Sequence, residues 1–226
     1  MPFIVLEGVD GSGKSTQLGL LRKRLSEEGL QSEYLHFPRF DTPVWGDLIG
    51  RFLRGELGAV DAVNPYLVAL LFAGDRAAAA TTIRGWLNEG RWVVLDRYVY
   101  SNVAFQGAKL PAGEPRNALR RWILDLEFVQ NAIPRPDLSL FLDVPFSFTE
   151  KRLRGERTGA DRDYLQGGRD IHEESLTLQQ RVREVYLETI GEESDLKVVS
   201  CADQSGNMAP AEEIFERIMK EISRFL

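Results

Sequence analysis

The chain of 226 residues contains a single cysteine, Cys201, so it forms no internal disulfide and builds no cysteine-based metal centre. A lone thiol in such a composition reads as a buried structural residue. Basic residues are in the minority. The formal net charge is −6 and the isoelectric point lies near 5.2, which argues against a nucleic-acid-binding surface while allowing a small basic pocket. No apolar run approaches the roughly 18 residues that cross a bilayer, and "MPFIVLEG" lacks the basic flank and cleavage site of a secretory signal. The expectation is a cytoplasmic protein with neither a membrane nor a nucleic-acid partner. Internal repeats and low-complexity tracts are also missing; "RAAAATT" is alanine-rich helix.

What remains is 43% hydrophobic and 27% charged, the composition of a globular domain. Residues 1–226 are expected to form one α/β unit. Five short apolar runs, "FIVLE" (3–7), "EYLHF" (33–37), "WVVLD" (92–96), "LSLFLD" (138–143) and "LKVVS" (196–200), read as strands covered on both faces. Helical patterns separate them. Leu18, Leu21 and Leu25 mark one stripe that ends at Gly29, and Asn64-Pro65 caps a long helix running to about Asn88. Further helices are expected from Arg116 to about Asn131, through Leu153 with Ser147 and Glu150 as a capping box, from about Ile171 to Ile190, and from Pro210 to Phe225. Alternating strands and helices predict a doubly wound, five-stranded parallel sheet with helices on both faces. Ligands of such folds gather at the carboxyl ends of the strands. One segment, Arg154 to Asp170, is glycine-rich, charged and nearly without apolar residues, which suits either a mobile lid or a surface loop.

"GVDGSGKST", directly after the first strand, is a complete phosphate-binding loop: Gly8, Val9, Asp10, Gly11, Ser12, Gly13, Lys14, Ser15 and Thr16. Glycines let backbone N–H groups curl round a phosphate, and the following helix adds its positive N-terminus. Lys14 is placed for the β- and γ-phosphates and the Ser15 hydroxyl for Mg²⁺. The loop implies a nucleoside triphosphate and leaves the acceptor open.

Two Asp-Arg pairs carry the next step. Asp96-Arg97 ends an apolar strand, where Arg97 can grip a phosphate with its planar fork. Asp96 either orients that arginine or holds Mg²⁺ through water. Asp75-Arg76 interrupts an apolar helix, so each charge must be paired or face a cavity. Phe72 lies one turn before Arg76, and the two suit a planar base with a carbonyl edge or, equally, a paired core arginine. Phe37, Arg39 and Phe40 follow the second strand as a candidate aromatic wall and phosphate contact.

Taken together, "EGVDGSGKST", "FPRFDTP", "LFAGDRAA", "LDRYVYSNVAFQG" and "RDIHEESLTLQQRVREVY" resemble the thymidylate kinase family, over a stretch from Phe3 to about Ile190. The resemblance implies a P-loop NTPase fold, transfer of the γ-phosphate of Mg-ATP to dTMP giving dTDP for dTTP biosynthesis, and a homodimer. It places Asp10 near the sugar 3′-hydroxyl and the metal, beside Ser15 and Asp96. It implies that Phe72 stacks on thymine and Arg76 bonds its O4, that Ser101, Asn102 and Gln106 belong to the stretch meeting the base edge or phosphate, and that Arg39 and Arg97 hold that phosphate. Phe105 stands where many members carry tyrosine against the sugar. Gly11 stands where one subgroup has an arginine; members lacking it carry arginines in the lid. Of Arg154, Arg157, Arg162 and Arg169, the resemblance favours Arg157 and Arg162 as clamps on the transferring phosphate. Asp170 and Glu173 match an acidic pair near substrate or metal, though they also suit an exposed helix start, and His172 between them reads as a polar surface residue. No general base is needed, because the acceptor phosphate is already anionic. Competing readings are another nucleoside monophosphate kinase and a nucleotide-dependent switch, the latter weakened by the absence of an Asn-Lys-x-Asp guanine reader.

Overall fold

The computed structural model describes residues 2–60, 62–154, 160–165, 170, 172 and 175–226, with 152–154 and 160–162 described as backbone only. Five parallel strands, β1 (Phe3–Glu7), β2 (Ser32–His36), β3 (Trp92–Asp96), β4 (Leu138–Asp143) and β5 (Leu196–Ser200), form one sheet in the order β2-β3-β1-β4-β5. The expected strands and sheet are all present. The expectation that every strand is covered on both faces holds only for the inner three. β1 and β3 are buried throughout and β4 nearly so, whereas β2 is half-buried along its length and β5 is buried only at Leu196 and Val199, because both are edges.

Crossovers between parallel strands run through helices. The phosphate loop leads from β1 into α1 (Lys14–Glu27), which buries Leu18, Leu21 and Leu25 and stops before Gly29. A short helix, α2 (Trp45–Leu53), precedes the long α3 (Pro65–Asn88), whose Asn64 cap accepts from the Tyr66 N–H at 2.9 Å. α3 is long and apolar enough to cross a membrane, but it covers the sheet with Ala69, Ala79 and Ile83 buried, while Val68 packs on α2. α4 (Val99–Gly107) follows β3 after two residues, and α5 (Glu114–Leu124) continues into a π-helical turn over Asp125–Gln130. Then come α6 (Phe146–Arg154), α7 (Leu176–Ile190) and α8 (Ala211–Ile222).

Several local expectations are corrected. α6 begins at Phe146, so Ser147 lies inside it rather than at its cap. α7 begins five residues later than the periodicity implied, at Leu176, where the Ser175 side chain accepts from the Leu178 N–H at 3.1 Å. Asp170 therefore precedes the helix by six residues. The 116–131 helix is two pieces, α-helical and then π-helical. Cys201 is buried as expected, its thiol pushed up to about 12 by burial.

Candidate active site

A cleft of about 310 Å³ opens at the carboxyl ends of the inner strands. The phosphate loop forms its floor. Gly11 and Gly13 adopt φ of +73° and +85°, which side chains resist, and a Cβ on Gly8 would lie 2.6 Å from Ser12 Oγ. Among the described residues the N–H groups of Gly13, Lys14 and Ser15 have no hydrogen-bond partner, and no side chain caps α1. Bare donors at a helix N-terminus make an anion cradle. Lys14 folds back onto the carbonyls of Gly8 (3.4 Å) and Val9 (3.2 Å). Burial, aided by the like charge of Arg97, lowers its pKa to about 8. Gly8 and Val9 thus serve through their carbonyls, while the loop from Asp10 to Thr16 lines the cleft.

Arg97 is held in the left-handed region at φ +65°, with its N–H bonded to the Leu6 carbonyl at 2.9 Å. Its guanidinium donates to Asp10 Oδ1 (2.6 Å), the Gly8 carbonyl (2.7 Å) and Ser101 Oγ (3.2 Å), and lies over the Phe105 ring. Burial opposes its charge, but Asp10 and the other nearby acids outweigh burial and raise its pKa. The carboxylate that orients Arg97 is therefore Asp10, not the adjacent Asp96. Asp96 instead faces His36 Nδ1 at 3.5 Å, and its Oδ1 is buried with no protein partner among the described residues. Burial would raise Asp96, yet Lys14, His36 and Arg97 prevail and keep it lowered. An orphan carboxylate oxygen and the exposed Ser15 hydroxyl on one cleft are hard-oxygen donors of the kind Mg²⁺ takes alongside phosphates. No group of three His, Cys, Asp or Glu that could hold a metal ion occurs among the described residues. Both Asp10 oxygens are already engaged, by Arg97 and by Gln179 Nε2 at 2.7 Å.

The far wall is built on α3 and α4. Arg76, 2% exposed, is clamped to Glu127 of the π-helical turn through Nε and Nη2 at 2.5 and 2.6 Å. It is both a paired core arginine and a cleft residue: among the described residues Nη1 has no protein partner. Asn102 Nδ2 donates to the Ala69 carbonyl and to Glu127, both at 3.0 Å. Two acceptors at the nitrogen fix the amide's orientation, so its unpartnered Oδ1 is the acceptor. Phe72 lines the same cleft. This wall offers one donor and one acceptor beside an aromatic ring.

Other expected residues distribute as follows. Phe37, Phe40, Ser101, Phe105, Gln106 and Asp170 line the cleft. Gln106 is buried and accepts from Lys109 Nζ at 2.7 Å. Arg39 stands apart from the lining. It donates from its backbone N–H and Nε to Asp75 at 2.8 and 2.9 Å, which explains the buried Asp75 charge. Asp170 is buried rather than an exposed helix start, accepting from Tyr164 Oη at 2.5 Å and the His172 N–H at 2.7 Å. His172 is no surface residue either: it is 5% exposed, wedged between Phe52 and Phe105, and burial with the Lys109 charge lowers its pKa to about 3. Of the expected lid, the described part is a 3₁₀ turn, Ala160–Leu165, in which Tyr164 stacks on Phe40 at 3.7 Å and accepts from Arg54 at 2.6 Å. Arg157, Arg169 and Glu173, and the side chains of Arg154 and Arg162, lie outside the described residues. Glu7, His36, Glu127, Gln179 and Tyr186 were not foreseen. Their partners lie up to 179 residues away, beyond the reach of any local pattern.

Fold and cleft together define a P-loop nucleotide kinase, with a phosphate cradle facing the Arg76–Asn102 wall across Arg97. The thymidylate kinase family profile matches residues 6–209, extending past Ile190 where the quoted motifs end. A thymidylate kinase of Mycobacterium tuberculosis is 38% identical over 82% of this chain and 84% of its own, and a probable thymidylate kinase of Pyrobaculum aerophilum 31% over 97% and 99%. Among solved structures, thymidylate kinase from Candida albicans superposes with a TM-score of 0.71 at 25% identity, covering 99% of this chain and 91% of that one. The chain belongs to the thymidylate kinase family, enzymes that phosphorylate dTMP to dTDP at the expense of a nucleoside triphosphate.

Proposed function

We propose that this chain uses Mg-ATP as the donor, binds dTMP with its base against Phe72, Arg76 and Asn102, and brings the two phosphates together at Arg97. The observation that carries the acceptor assignment is the wall's pairing of an unpartnered Arg76 Nη1 with an orphan Asn102 Oδ1. Thymine presents a carbonyl O4 beside an N3–H, the complement of that pair. Adenine presents an amino group beside a bare ring nitrogen, and would set donor against donor. A monophosphate panel tests it: with Mg-ATP, dTMP is consumed rapidly and dAMP at least about 10³-fold more slowly. A comparable rate for dAMP contradicts the assignment.

Phosphoryl transfer depends on alignment and charge neutralisation rather than on a base. Loop N–H groups and Lys14 hold the donor's β- and γ-phosphates. Arg97, kept rigid by Asp10 and the Gly8 carbonyl, grips the acceptor phosphate and presents it in line. Mg²⁺, held by Ser15 and through water by Asp96, would supply further neutralisation of the phosphates. Arg157 and Arg162 are proposed to complete the clamp. Arg39 is proposed to touch the acceptor phosphate with what its Asp75 pairing leaves uncommitted. Asp10 is proposed to meet the sugar 3′-hydroxyl, which it can do while still bonded to Arg97. Asp170 and Glu173 are proposed to lie near the substrate.

We further propose that the protein is a homodimer working in the cytoplasm. Leu67 and Leu70 on α3 and Val129 beyond α5 are 61%, 44% and 64% exposed, and exposed Trp122 of α5 meets Tyr66 of α3 edge-on. An apolar surface of this kind favours a second copy.

A further inference from the structure

Glu7 ends β1 and is completely buried; it does not line the cleft and, among the described residues, forms no ion pair. Three donors converge on it. Oε1 accepts the Tyr98 N–H at 3.0 Å, and Oε2 accepts the hydroxyls of Ser101 at 2.5 Å and Tyr186 at 2.9 Å. Only donors surround the group, so the network suits a carboxylate; burial raises its pKa, and these bonds with the Arg97 charge oppose the rise.

The hydrogens can be followed through the network. Ser101 Oγ accepts from Arg97 Nη1 at 3.2 Å, which leaves its own proton to go to Glu7. Tyr186 Oη lies 2.8 Å from the same Ser101 oxygen and within reach of Glu7, bracing the pair from α7. Tyr186 is itself stacked on Phe141 of β4 at 4.3 Å. The remaining bond, to the Tyr98 N–H, pins the peptide that follows Arg97, whose φ of +65° is strained for a side-chain-bearing residue. Glu7 therefore holds Arg97 from two directions, through the hydroxyl under its guanidinium and through its own backbone. Asp10 holds the opposite side, steadied by Gln179, which sits on α7 as Tyr186 does.

We propose that Glu7 is a positioning residue for phosphoryl transfer, acting through Ser101, Tyr186 and the Tyr98 N–H to fix Arg97 in its working orientation. This rests on the role given to Arg97 above. A guanidinium allowed to swing would still bind phosphate but would present it poorly. Misplacement of about 1 Å can cost 10²-fold in rate. The loss should appear in kcat more than in KM, and leave the donor side alone.

The test compares wild type, Glu7→Gln, Tyr186→Phe and the same Glu7→Gln change in an Arg97→Ala background. It measures kcat and KM for dTMP, calorimetric affinity for Mg-ATP, and thermal unfolding. Glu7→Gln is expected to lower kcat by about 10- to 100-fold, with KM and Mg-ATP affinity within about threefold of wild type. Tyr186→Phe is expected to lower kcat by about three- to tenfold. In Arg97→Ala, Glu7→Gln should cost nothing further, because the group it positions is gone. An unchanged kcat per folded molecule in Glu7→Gln overturns the proposal, as does an equal loss in both backgrounds. If Glu7→Gln fails to fold, a wild-type kcat in Tyr186→Phe overturns it. Wild-type protein inactive on dTMP would instead refute the functional reading on which the proposal stands.

Discussion

Lys14 shows how a single residue is prepared for a ligand. Enclosed by the loop and facing Arg97, it carries a pKa of about 8, well below free lysine. Triphosphate oxygens would restore its charge. Binding of Mg-ATP should therefore take up close to one proton near pH 9 and almost none near pH 6, an uptake that calorimetry in buffers of different ionisation enthalpy measures directly. Equal uptake at both pH values would contradict the account. His172 supplies the acid counterpart. Unfolded histidine binds a proton near pH 6.5, whereas His172 resists until about 3. Between these values the unfolded chain binds a proton that the fold refuses, so stability is lost as pH falls, by about 1.4 kcal/mol per unit. Urea unfolding near pH 7 and near pH 5 should show a shallower pH slope for His172→Phe than for wild type. Identical slopes would show that His172 accepts its proton normally. Residues of this kind were partly legible. The phosphate loop announced Lys14 because its motif is contiguous, but nothing local distinguished a buried His172 from a surface one.

At the scale of elements, one ion pair joins three of them. Arg76 on α3 is bonded to Glu127 of the π-helical turn, and Asn102 on α4 bonds the same carboxylate. Arg76→Ala would leave Glu127 charged and buried without its cation. It should cost about 3–5 kcal/mol of unfolding free energy, read by urea titration. A loss below about 1 kcal/mol would mean that Asn102 alone suffices to hold Glu127. Strands and long helices were readable because their periodicities are local. α4 was not: all nine of its residues are buried, so it shows no polar stripe. α2 is only nine residues long, and a π-helical turn has no sequence signature comparable to a capping box. The chemistry of the Arg76–Asn102 wall was half-legible for the same reason. Arg76 had to be paired or face a cavity, yet its partner lay 51 residues away, in an expected helix whose π-helical end no pattern announced.

For the whole molecule, the sheet order sets β1 and β3 side by side, so that the loop after one and Arg97 after the other meet over their shared carboxyl ends. The strand-helix alternation announced a doubly wound parallel sheet, while the order of its strands came from the structure. Assembly is a property of the surface, and the exposed apolar face on α3 predicts a dimer. Light scattering should give twice the chain mass, and Leu70→Glu should shift the population towards the monomer; a wild-type monomer at micromolar concentration would remove the dimer from the account.

The central claim is that a triphosphate and dTMP occupy the cleft together, meeting end to end at Lys14 and Arg97. Calorimetry with adenosine and thymidine joined 5′ to 5′ through a polyphosphate bridge tests it most directly. The account predicts one ligand per chain, exclusion of both nucleotides, and affinity at least about 10²-fold tighter than for either alone. A ligand that binds no tighter than ATP, or that leaves dTMP free to bind beside it, would contradict it.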